Sequence, residues 1–171
     1  MNTINFLSER ADFVPLWQRA IAAVEALRDK PSTDLLYFDA IDLQTQKFFD
    51  LIQHLLALTG ATDFATLVLK PDPFRYFHFH FGKYPGFIHH SHNTADEFFE
   101  FLLEDPGASP ADALGSNSQQ YVVLPLPGDW IVFGDRWWET AVLSGPPDIM
   151  ECAKRFYPFF LEPPSGFRIE L

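Results

Sequence analysis

Five of the six histidines in this 171-residue chain fall within fifteen positions, at His78, His80, His89, His90 and His92. His78 and His80 lie in the run Phe74 to Phe81, where aromatic and polar residues alternate, and that alternation predicts a strand. On a strand the two imidazoles share one face with Tyr76, while Phe77, Phe79 and Phe81 turn to the core. Two imidazoles about 6–7 Å apart along a strand can reach one transition metal. A third ligand would come from the His89-His90-Ser91-His92 segment. Three neutral imidazoles and an open position suit zinc or iron, with hydrolytic or oxygen chemistry as the expected outcome. The competing account gives these histidines no chemistry: His78 and His80 on a half-exposed strand, the others in a polar loop.

The run Phe77-His78-Phe79-His80-Phe81-Gly82 resembles, over six residues, the strand that carries two zinc-binding histidines in the alpha-class carbonic anhydrases. Phe81 stands where that family usually has Trp, and nothing here matches its further histidine-bearing strand. Cys152, among Ile149, Ala153 and Phe156, has the setting of a buried small apolar residue rather than a nucleophile. The chain has no nucleophile elbow, P-loop or dinucleotide fingerprint, so no catalytic residue is named and the question of an enzyme stays open.

Charge is the second anomaly. Twelve Lys and Arg stand against 23 Asp and Glu, a net charge of −11. Eleven of the acids, and only one basic residue, Arg136, fall between Tyr84 and Glu151. Such a balance argues against a nucleic-acid partner, which needs basic patches. Asp96, Glu100 and Glu104 recur every four residues with Glu97 beside them, an acidic stripe on the helix that Thr94 opens. The expected use of this stripe is to dock a basic protein partner, since complementary charge speeds encounter and suppresses wrong partners. The pair Trp137-Trp138 would supply an aromatic anchor; on a strand one of the two must point outward. In size and charge the chain is similar to small acidic immunity-type proteins that neutralise basic nuclease toxins. An exposed aromatic could equally be covered in a homodimer.

The elements that must position these residues follow from periodicity. Residues 12 to 30 form an amphipathic helix with Asp12 as N-cap and Pro31 as terminator, and Asp42 to Thr59 form a second helix closed by Gly60. His54 falls on its polar side. Ala65 to Leu69 is a short apolar run that leads through Pro71-Asp72-Pro73 into Phe74–Phe81. A capping box, Thr94 with Glu97, starts the acidic helix, and Pro106-Gly107 stops it. Residues 105–120 are rich in Gly, Ser, Pro and Asn and predict a long mobile loop. Tyr121–Leu126, Trp130–Phe133 and Trp137–Leu143 form a meander, with Pro125 favouring an edge for its first strand. A short helix from Asp148 to Phe156 and a last strand over Phe167–Leu171 complete the chain.

These elements fit one α+β domain over residues 1–171, with helices packed on a mainly antiparallel twisted sheet. Nineteen Phe predict an aromatic core centred on Phe77, Phe79, Phe98, Phe101, Ile131 and Phe133. One cysteine cannot close an internal disulfide, no apolar run is long enough to span a membrane, and MNTINFLSER lacks the features of a signal peptide. The expectation is a cytosolic interaction domain, inhibitor-like or immunity-like, with a His-x-His metalloenzyme as the alternative.

Overall fold

The computed structural model describes residues 3–107 and 110–171. Its six strands are β1 (Leu36–Asp39), β2 (Asp63–Lys70), β3 (Gly86–His89), β4 (Gln120–Leu126), β5 (Ile131–Asp135) and β6 (Thr140–Ser144). They form one antiparallel sheet in the order β1-β6-β5-β4-β2-β3. The helices are α1 (Arg10–Arg28), α2 (Gln46–Thr59), the single turn α3 (Phe79–Phe81), α4 (Ala95–Leu102) and α5 (Pro147–Phe156). The α+β expectation holds. No helix among the described residues is long and apolar enough to cross a membrane.

Both faces of the sheet are apolar. Along β4, Tyr121 and Val123 enter one core while Val122 and Leu124 enter the other, so the strand has no polar face and reads as a continuous apolar run. The first core lies against α2, α4 and α5. Phe98 sits there fully buried, its ring 5.5 to 5.8 Å from those of Phe49, Phe64 and Phe87. The second core lies under α1, through Phe13, Ala20, Val24 and Leu27, and under the C-terminal segment, through Phe167, Ile169 and Leu171. Burying each large side chain contributes about 1.5–3 kcal/mol, so both covers are needed.

Local rules place the helices. Thr45 caps α2 by accepting the Phe48 N–H at 3.2 Å, and Gly60 closes it with φ +73°, a conformation glycine adopts without penalty. The N-cap of α1 is Glu9, not Asp12, which lies in the first turn. Asp148 likewise lies inside the first turn of α5, where Pro147 is the first helical residue.

Several expectations are corrected. Phe74–Phe81 is no strand: Pro73–His78 is a π-helical turn, capped by Asp72 and continued by α3. β2 ends at Lys70, and Asp72 offers its carboxylate to the Phe74 and Arg75 N–H groups, so local capping overrides the period-two pattern. Phe79 is therefore outside the core, 78% exposed, whereas Phe77 is buried. Ile131 and Phe133 belong to the second core, on the opposite face from Phe77, Phe98 and Phe101. Pro125 lies on a central strand, but beyond the last β4–β5 pair, Val123 with Val132, where that flank makes no ladder. Trp137 and Trp138 form a turn rather than the start of β6, and Phe167–Leu171 is not a strand. Of residues 105–120, positions 108 and 109 lie outside the described residues. Beyond them Pro110–Asp112 makes a short helical turn, and Ala113, Leu114 and Ser118 are buried.

Tyr121 ties the sheet to its surroundings. It is paired with Gly134 across the β4–β5 ladder and its ring lies over that glycine, where a Cβ would come within 2.2 Å. Its hydroxyl donates to the Ala40 carbonyl at 2.7 Å, and burial pushes its pKa up, so the phenol stays neutral. Gly134→Ala is expected to destabilise the fold by about 1–3 kcal/mol through overpacking. Tyr121→Phe is expected to cost about 1–2 kcal/mol by leaving a buried carbonyl unpaired. Urea unfolding monitored by tryptophan emission measures both.

Candidate functional site

The structure divides the five histidines among a helical turn, a strand and a loop. Residues two apart on a helix point about 200° apart, so His78 and His80 leave opposite sides of their turn. His78 stacks on Tyr84 with ring centroids 4.4 Å apart, and His80 meets the edge of Tyr76 at 4.8 Å. His89 is buried among Phe49, Phe64 and Phe98. Its Nε2 lies 3.2 Å from the Thr94 carbonyl, which can only accept, so this nitrogen carries the proton. His90 Nδ1 is 2.8 Å from Asp63 Oδ2, and the His92 ring lies parallel to that of His90 at 5.5 Å. Among the described residues no group of three or more His, Cys, Asp or Glu side chains is arranged to hold a metal ion. The zinc or iron site expected from His78, His80 and one of His89, His90 or His92 is not assembled.

Local electrostatics give these groups structural roles. Burial lowers the pKa of His89 and keeps it neutral, with the Thr94 carbonyl and Glu97 opposing that effect only in part. Burial would raise Asp63, but hydrogen bonds from His90, Thr62 and the Ser91 N–H, with the charge of His90, hold its carboxyl below the usual range. The pair orients His90 with Nδ1–H toward Asp63, as an Asp–His couple does for a general base. His54 is exposed and stacks on Phe156 at 3.8 Å. Cys152 is half-buried, and burial pushes its thiol up, away from a reactive thiolate.

The acidic helix begins as expected. Thr94 accepts the Glu97 N–H at 3.2 Å, and the Glu97 carboxylate accepts the Thr94 N–H at 2.6 Å. That backbone bond holds the Glu97 carboxyl below its ordinary range. Glu97 is therefore committed to the cap and withdrawn from the docking stripe. Asp96 and Glu100 remain exposed on α4, while Glu104 lies past its C-cap, Leu103.

Trp137 is 81% exposed, and Trp138 is half-buried with its ring edge-on to Phe167 at 5.8 Å. One ring points out and one in, as expected, but a turn rather than strand alternation sorts them. The turn is pinned at each residue. Asp135 accepts the Trp137 N–H at 3.0 Å, Thr140 donates to the Trp138 carbonyl at 2.8 Å, and Glu139 adopts φ +52°. Arg136 Nη1 donates to the Gly115 carbonyl at 2.9 Å and reaches the Ser116 carbonyl and Ser118 Oγ at 3.3 Å.

Gly115 gathers this end of the molecule. Its N–H donates to Leu102, the last residue of α4, at 2.7 Å, and its carbonyl accepts from both Arg136 and Gln44 at 2.9 Å. The Ala40 N–H donates to the Glu139 carbonyl at 3.3 Å, and Asp39, Ala40, Ile41, Arg136 and Glu139 line a groove of about 340 Å³ beside the tryptophan turn. Ile41, Leu103 and Trp137 thus stand exposed at one end of the sheet, with Asp39, Glu104 and Glu139 around them. Among the described residues the ion pairs are His90–Asp63, Lys154–Glu151 and Arg168–Glu170, so none of these three carboxylates is paired. Sequence reasoning missed Asp39, Ile41 and Leu103. Only the mutual placement of four segments makes them neighbours, and no local pattern marks them.

A buried relay supports the turn from below. Gln120 and Asp135 are 2% and 5% exposed. Gln120 Nε2 donates to Asp135 Oδ2 at 2.8 Å and to the Glu170 carbonyl at 2.6 Å. Asp135 in turn holds the Trp137 N–H, so the C-terminal segment reaches the exposed tryptophan through two buried side chains.

Two outcomes follow. Gln120→Ala is expected to speed amide hydrogen exchange over residues 136–139 by about tenfold, since losing one buried hydrogen bond is worth about 1 kcal/mol or more, while α1 exchanges as before. Because the folded His89 is held below its unfolded value, its contribution is complete above about pH 6.5 and is lost as the pH falls through the folded pKa. Urea midpoints should therefore drop on acidification from about pH 6.5 to 5, and His89→Phe should flatten that slope. Compared with models of protein families, with curated proteins and with solved structures, this chain has no match.

Proposed function

We propose that the chain is a protein-interaction domain that docks a basic partner protein through the end of the sheet presenting Trp137. The observation that carries this reading is the exposed indole on a turn pinned by Asp135, Arg136 and Thr140, amid carboxylates without cationic partners. A large apolar ring left in solvent on a fixed backbone turn removes much apolar surface from water on burial, which is the property of an interface anchor. Asp39, Glu104 and Glu139 form the charged rim, while Asp96 and Glu100, about 6–12 Å further along α4, extend it at helical rise. Arg136, the one basic residue between Tyr84 and Glu151, makes its hydrogen bonds to neutral loop acceptors, and its single charge leaves the acidic excess of this end in place.

Unneutralised like charges disfavour the compact state, and a cationic partner removes that penalty as it binds. An inhibitor or immunity-type role is the specific form of this reading: the acidic end would cover the cationic working surface of a basic enzyme. Trp138 contributes by packing, not by contact with the partner, and Glu97 by capping α4.

The test is affinity capture with the intact chain, followed by direct titration of each purified basic candidate. Trp137→Ala is expected to weaken binding by at least about 2 kcal/mol, as for a central anchor. Glu104→Gln with Glu139→Gln should slow association and reduce its salt dependence, while Phe79→Ala should change neither. Equal affinity for the wild type and the Trp137→Ala protein would remove the proposal. A dimer in sedimentation that Trp137→Ala dissociates would replace it with self-association.

A further inference from the structure

Among the described residues only one helix, α1, lies over the second core, and between the end of that helix and the C-terminal segment the cover is incomplete. The gap is a groove of about 660 Å³, within the range of small-molecule sites. Its apolar lining is continuous with the core: Leu27, Leu35 and Tyr37 from below, Phe167 and Ile169 from the side. Three cations, Arg28, Lys30 and Arg168, also line it, against one acidic side chain, Glu170. In a chain with 23 acidic and 12 basic residues, this local excess of positive charge runs opposite to the whole.

Two of the cations are held in place. Arg28 Nε donates to the Ile169 carbonyl at 3.0 Å, which leaves its terminal nitrogens as donors. Lys30 Nζ donates to Ser144 Oγ at 2.7 Å, which leaves two of its three protons. Arg168 is exposed at the rim, 3.8 Å from Glu170. Fixed cations beside a low-dielectric wall attract an anion more strongly than the same charges free in water.

We propose that this groove is a binding site for a small amphipathic organic anion, an apolar body carrying one carboxylate. The body lies on Leu35, Tyr37 and Ile169, and the head meets Arg28, Lys30 and Arg168. The proposal is independent of the partner-docking reading, which concerns residues of opposite charge. The groove beside Trp137, lined by Asp39 and Glu139 against the single cation Arg136, has the opposite charge balance.

The experiment is a two-dimensional NMR titration of the intact chain with decanoate, alongside 1-decanol as an uncharged analogue and citrate as an anion with no apolar body. Expected is saturable binding of decanoate with Kd below about 1 mM, with shifts concentrated at residues 27–37 and 167–171. Decanol and citrate should each bind at least about tenfold more weakly. Arg168→Gln and Lys30→Gln, both at exposed positions, should each raise the decanoate Kd several-fold with the remaining spectrum unchanged. The proposal is overturned by an absence of saturation, by decanol binding as well as decanoate, by shifts centred elsewhere, or by charge variants that bind unaltered.

Discussion

The strands at the centre of the sheet are apolar on both faces, and among the described residues the second face has a single helix, α1, to shield it from water. This constraint shapes the rest of the molecule. α1 covers part of that face, and the segment after α5 must cover more, although it has no regular structure of its own. It holds on through the Leu161 N–H to the Tyr37 carbonyl, the Ile169 carbonyl to Arg28 and the Glu170 carbonyl to Gln120, with the Phe167 ring against Tyr37 and Trp138. An extended segment has few ways to satisfy its backbone, and these side-chain partners supply them. Its imperfect fit leaves the cationic groove.

The same cover also reaches the exposed tryptophan. Asp135 is an acid in a nearly closed environment, tolerable because Gln120 and the Trp137 N–H both donate to it. Gln120 is in turn held by the C-terminal segment. The exposure of Trp137 is thus supported from inside. Arg136 acts from the other side, drawing residues 115–118 onto the turn and bringing the end of α4 with them.

The histidines show how one residue type takes different parts according to its surroundings. His89 fills an aromatic cage as a neutral ring, His90 pairs with Asp63, and His78 and His80 use ring faces and edges against tyrosines. Although near in sequence they fall on a helical turn, a strand and a loop, and only His90 and His92 keep their rings side by side.

The α+β class, the amphipathic α1 and α2, the Thr94–Glu97 cap and the three-strand meander are legible in the sequence, because each rests on local periodicity or on a bond between residues three or four apart; one tryptophan points outward as expected, but through a turn that alternation did not reveal. It misled where a local pattern had two physical solutions. Phe74–Phe81 alternates like a strand, yet Asp72 caps a π-helical turn there. β1 and β3, four residues each, were not legible at all: neither has alternation long enough to detect, and both exist because a neighbouring strand offers a ladder. Only tertiary structure brings Ile41, Leu103 and Trp137 to one end of the sheet and lines the groove over the second core with three cations. Such groupings depend on distances between segments 21 to 141 residues apart, and spacing along a chain carries no record of them.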